Sequence, residues 1–176
     1  MAGYSSNLAN AKQAVANSQT TLTPGNYVLS SAAQANAVAR TRARIEAGRY
    51  NKERLDRIAE IAANCESTRA GNCGEFAALC FIWARRRGIY PLDYMNLTNG
   101  DHAFVVIGRK LDSNDRSVGT WGGDAVICDG WDNNAYQATW GNMVLTLPGA
   151  AFPEYKSNGR WNPLEEAQRD DGNRMA

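Results

Sequence analysis

The chain has 176 residues, enough for one domain whose hydrophobic core needs neither a metal nor disulfides to hold it. Hydrophobic residues make up 44% and charged residues 21%, a globular balance that excludes a disordered chain. Nineteen Lys and Arg stand against 18 Asp and Glu, and a net charge of +1 offers no broad field to nucleic acid or to an anionic membrane surface.

Read in chain order, residues 1–30 are rich in Ala, Ser, Asn and Thr, with a turn cluster at Thr23, Pro24, Gly25 and Asn26. They read as a weak helical start within a flexible N-terminal arm. The start carries no basic segment followed by an apolar run, so no Sec-type signal is expected, and no stretch approaches the roughly 18 apolar residues of a spanning helix. The expected location is cytoplasmic, or exported without a Sec signal. Residues 31–47 favour helix by propensity, with Gly48 to stop it. Asn51 is placed to cap a second helix through residue 64, in which Leu55, Ile58, Ile61 and Ala62 form one apolar face.

After a polar loop over residues 67–72 comes an apolar helix opening at Cys73. Its side chains are hydrophobic in nearly every direction, which predicts a central, buried element. Arg85, Arg86 and Arg87 suit the negative end of its dipole, and Gly88 stops it. The period then changes. Residues 90–97, 103–109 and 124–129 read as strands, the last two rich in Val and Ile, with a long hairpin loop over residues 110–123. A further strand is expected at residues 142–147, and residues 154–176 read as a poorly packed tail. The fold class is α+β, a central helix on an antiparallel sheet with helices before it, in a single domain.

Three residues carry chemistry. Cys73 stands at the start of the buried helix, where unpaired backbone N–H groups and the dipole favour a thiolate, and Gly71 and Gly74 leave room beside the sulfur. His102, the only histidine, sits between a polar turn and an apolar strand, where an imidazole can exchange a proton with a thiol near neutral pH. Asp129 closes an apolar strand and suits the task of holding the second ring nitrogen; Asp101 and Asp132 compete for that task from turns. Trp131 is expected to pack over the imidazole. Glu75 reads as a capping carboxylate for the first helical turn, and Cys80, two turns beyond Cys73, as core.

Gly71-Asn72-Cys73-Gly74-Glu75-Phe76-Ala77, Asp101-His102-Ala103-Phe104-Val105-Val106 and Cys128-Asp129-Gly130-Trp131 resemble, in order and context, the Cys, His and Asp motifs of the transglutaminase-like superfamily of papain-like cysteine enzymes. The resemblance covers residues 64–136. It implies Cys73 as nucleophile, His102 as general base and acid, and Asp129 as orienter, on a papain-like core. It also implies thioester chemistry at an amide of a protein substrate, a host or target-cell protein included, with cysteine protease and glutamine deamidase as the leading forms. No cofactor is called for, and the chain lacks the acidic cluster that would suit calcium. The compact size and loose start are similar to bacterial effector or toxin modules. For the oxyanion, the Cys73 N–H is the first donor, with the Asn72 side chain or the Trp131 indole as second, and Gly74 lies beside the substrate. Two rival classes are a catalytically inactive interaction domain on the same fold and a zinc module built from Cys65, Cys73, Cys80, Cys128 and His102. The latter is disfavoured because no Cys-x-x-Cys pair exists.

Overall fold

The computed structural model describes residues 2–22, 54–69, 71–97, 102–114, 117–146 and 164–170. The expected helix over 31–47, the Asn51 cap, the turn at 23–26 and Asp101 lie outside these residues. The described chain is α+β. Helices α1 (Tyr4–Thr21), α2 (Arg54–Thr68) and α3 (Cys73–Arg85) precede strands β1 (Leu92–Leu97), β2 (Ala103–Ile107), β3 (Val126–Asp129) and β4 (Asn134–Gln137). A short helix α4 (Trp140–Thr146) and strand β5 (Leu164–Asp170) complete it. All pairings are antiparallel, in the order β4-β3-β2-β1-β5.

The core forms where the strand period of two meets helices on one side and loops on the other. Ala103, Val105 and Ile107 of β2, with Val126 and Cys128 of β3, turn towards α3 and share a cluster with its buried run from Phe76 to Ala84. The alternate residues Phe104, Val106 and Ile127 face the opposite way and pack with Met95, Val118, Trp121, Ala138 and Met143. Both faces of the sheet are therefore covered, which explains why β2 and β3 read as unbroken apolar runs.

α3 is bounded by the devices its sequence announces. Glu75 Oε2 accepts the Asn72 N–H at 2.9 Å, one arm of a capping box. At the other end Gly88 takes φ +66°, with its N–H donating to the Arg85 carbonyl at 3.0 Å and the Ile89 N–H to the Ala84 carbonyl at 3.2 Å.

Three expectations are corrected, and one strand is added to those expected. The N-terminal arm is not loose over Tyr4–Thr21: this is an 18-residue helix with Asn7, Ala11, Ala14, Val15 and Ser18 buried. These positions recur at helical spacing, and their small side chains let the helix lie close against α3 and β3. Residues 142–147, expected as a strand, lie instead mainly in α4, which begins at Trp140 with the Thr139 hydroxyl accepting the Asn142 N–H at 3.2 Å. That cap decides for helix where Val and Leu suggested strand. Within the expected tail, Leu164–Asp170 pairs along β1 as an edge strand, from Leu92↔Asp170 to Leu97↔Leu164, with an irregularity between Tyr94 and Asn96. Finally, β4 pairs with β3 over Asp129↔Asn134 to Val126↔Gln137, although Asn134, Ala135 and Gln137 lack the β-branched character that signals a strand. Among the described residues no helix is long and apolar enough to cross a membrane.

Candidate active site

The site assembles at one end of the sheet. β2 opens at Ala103 with His102 just before it, β3 ends at Asp129, and the two strands run side by side, so residues 102 and 129 meet across the pair. His102 Nε2 lies 2.6 Å from Asp129 Oδ2, with 3% of the His102 side chain and 1% of that of Asp129 exposed. The other carboxylate oxygen, Oδ1, accepts the Asp132 N–H at 3.2 Å. Asp129 is thus the carboxylate that engages the ring, while Asp132 is exposed and contributes its backbone.

The Cys73 side chain hydrogen-bonds the same imidazole. With Nε2 committed to Asp129, Nδ1 is the ring nitrogen left for the sulfur. α3 delivers Cys73 as its first residue, half-buried, in the turn fixed by the Asn72–Glu75 capping pair. Burial alone would push the imidazole towards neutrality, but the hydrogen bonds to Asp129 and Cys73, with their charges, outweigh it and raise His102 from 6.5 to about 9. A ring that would titrate at neutral pH in water is held protonated here.

Packing keeps water from the ring. Phe104, two residues on and on the same face of β2, stacks against it with centroids 6.0 Å apart and planes at 25°. That cover was expected of Trp131, which instead meets Phe76 of α3 edge-on at 6.0 Å and stays half-buried. Of the two glycines beside Cys73, Gly71 is the one demanded sterically, because a Cβ there would overlap the Glu75 side chain that caps the helix. At Gly74 a Cβ would make only ordinary contacts, with the Tyr94 hydroxyl at 3.5 Å and Asn72 Oδ1 at 3.8 Å, and that hydroxyl donates to the Gly74 carbonyl at 3.1 Å. Asn72 flanks Cys73 with its Oδ1 buried.

All four cysteines are free thiols, and Cys65, Cys80 and Cys128 are buried. The Cys80 and Cys128 thiols hydrogen-bond each other across the α3–β3 contact, and that hydrogen bond together with burial pushes the Cys128 thiol well above its usual range. Among the described residues no group of three or more His, Cys, Asp or Glu side chains is placed to hold a metal ion. The five residues considered for zinc are distributed between the site and the core.

Four residues around the site lack a motif of their own. Phe104 was legible only as a strand residue. Gln19 and Ser18 of α1 reach the turn after Asp129, and the one available signal was the stripe of small residues running from Asn7 to Ser18. The Tyr136 hydroxyl is buried without a hydrogen-bond partner, and burial, followed by the charges of Asp129 and Asp132, keeps it protonated. In comparison with known proteins, no family model, no curated protein and no solved structure matches this chain.

Proposed function

We propose that the protein is a thiol-dependent amide hydrolase or acyl transferase acting on protein substrates, with Cys73 as nucleophile, His102 as proton carrier and Asp129 as orienter, on a papain-like or transglutaminase-like core. The observation that carries this reading is one imidazole held between the Asp129 carboxylate, at 2.6 Å, and the Cys73 sulfur. Charged and hydrogen-bonded histidines occur for structural reasons, but a thiol at a helix start on the ring's second nitrogen is the arrangement nucleophilic catalysis needs.

In this mechanism the proton given up by Cys73 already rests on the protonated His102 ring, and the sulfur attacks the carbonyl carbon of the amide. The carbonyl oxygen becomes an oxyanion facing the Cys73 backbone N–H at the positive end of α3. The imidazolium then protonates the departing nitrogen, the C–N bond breaks and a thioester remains. Water, deprotonated by His102, adds to the thioester and releases acid and free thiol; an amine in place of water yields a new amide. Asp129 accepts from the ring throughout and keeps it in one orientation. Protease and glutamine deamidase differ only in which amide enters, a backbone peptide or a side-chain carboxamide. A target-cell protein, as the resemblance to effector modules suggests, is the favoured substrate.

The deciding experiment is mass spectrometry of candidate target proteins incubated with the wild type and with Cys73→Ala. Backbone cleavage, or a gain of about one dalton at glutamine, is expected with the wild type only. Identical products with Cys73→Ala would remove the nucleophile from the proposal.

A further inference from the structure

Asp129 can orient His102 only while the turn behind it is held, and α1 holds it. The Gly130 carbonyl, directly after Asp129, accepts a hydrogen bond from the Gln19 side-chain amide of α1. Around the same residue the packing leaves no room for a side chain: a Cβ on Gly130 would lie 2.8 Å from Ser18 Oγ, 3.1 Å from Cys80 Sγ and 3.1 Å from Phe76 Cβ. α1 and α3 therefore close on the turn from two sides.

The same helix grips β3 along its length. The Cys128 thiol donates to the Ala11 carbonyl at 3.6 Å. Beyond the other end of the strand, Asp124 accepts the Tyr4 N–H through Oδ1 at 2.9 Å and the Asn7 amide through its backbone carbonyl at 2.8 Å. A one-residue slip of β3 would turn Asp129 to the opposite face of the sheet, away from His102. Of these anchors, Gln19 alone binds the residue adjoining the carboxylate, and it does so through a side chain whose work is separable from the helix backbone.

We infer that Gln19 is a positioning residue for the Cys73–His102–Asp129 site, its amide fixing the Gly130 carbonyl and thereby holding the Asp129 carboxylate on the imidazole. The inference rests on the proposed catalytic reading for its purpose, but its geometry stands apart from turnover. A methionine at the position fills the same length without a donor, whereas alanine removes both.

His102 is the sole histidine, so its ring signals in a ¹⁵N NMR titration belong to one residue. The wild type is expected to titrate at about 9. In Gln19→Met and Gln19→Ala the midpoint should fall by about one unit or more, back towards the ordinary histidine value. Thermal melts run alongside establish that each titrated variant is folded, and Gln19→Met serves if the alanine variant does not fold. A folded variant whose His102 titrates with the wild type would overturn the inference, even if its Tm is lower. Amide turnover answers a different question: a wild type that titrates high and turns over no amide removes the proposed activity and leaves the positioning role standing.

Discussion

The two ends of β2 carry two buried ion pairs that look alike and do different things. Before the strand, His102 pairs with Asp129 of β3; after it, Arg109 pairs with Asp93 of β1, through Nε to Oδ2 at 2.9 Å and Nη2 to Oδ1 at 2.8 Å. Arg109 also donates through Nη1 to the Ser113 carbonyl at 3.2 Å and hydroxyl at 3.0 Å, tying down the start of the β2–β3 loop. A guanidinium keeps its charge over the whole working range of pH and has no lone pair to receive a proton, so this pair can only hold structure. The imidazole differs in two respects: it can release its proton as pH rises through about 9, and it also hydrogen-bonds a thiol. Buried charge does not define the candidate site; a titratable partner within reach of a thiol does.

The sharpest way to break the comparison is to remove one carboxylate from each pair. Asp93→Ala leaves Arg109 charged, buried and short of its bidentate partner, and should cost about 3–5 kcal/mol of stability by urea unfolding. Labelling of Cys73 in the fraction still folded should not change. A loss of labelling in fully folded Asp93→Ala would mean that the two ends of the strand are not independent.

pH separates the pairs by sign. The folded-state value of His102 is raised above its ordinary one, so the stability it contributes is fully present below about 6.5 and lost as pH rises through about 9. The shift corresponds to about 3 kcal/mol. Asp129→Asn should therefore destabilise most at pH 6 and progressively less towards pH 10, while the cost of Asp93→Asn stays flat across the same range. Parallel pH profiles for the two variants would contradict the distinction.

These contrasts also mark what the sequence discloses. Cys73, His102 and Asp129 were readable because each stands where an element begins or ends: a helix start, the foot of one strand and the close of another. The capping role of Glu75 and the stop at Gly88 were readable for the same reason. α1 was readable only as a weak helical start, because apart from Val15 its buried face is built from Asn7, Ala11, Ala14 and Ser18, whose small or polar side chains leave little hydrophobic signature. β4 and β5 escaped because a strand at or near a sheet edge is chosen by its neighbour's unpaired backbone, and Asn134 or Glu165 can serve there without β propensity. The Gln19 contact was beyond reach for a further reason: it joins residues 111 positions apart, and nothing local to either announces the other.

The central claim, a sulfur made reactive by the imidazole beside it, is tested most directly by the rate at which iodoacetamide labels Cys73 at neutral pH, resolved by peptide mass, in the wild type and in His102→Gln. Glutamine retains an N–H for Asp129 but takes no proton from a thiol. Wild-type Cys73 should label well ahead of Cys65, Cys80 and Cys128, and the substitution should slow it by about tenfold or more while the protein stays folded. An unchanged rate in folded His102→Gln would show that exposure alone governs this thiol, and the account of the site would fail.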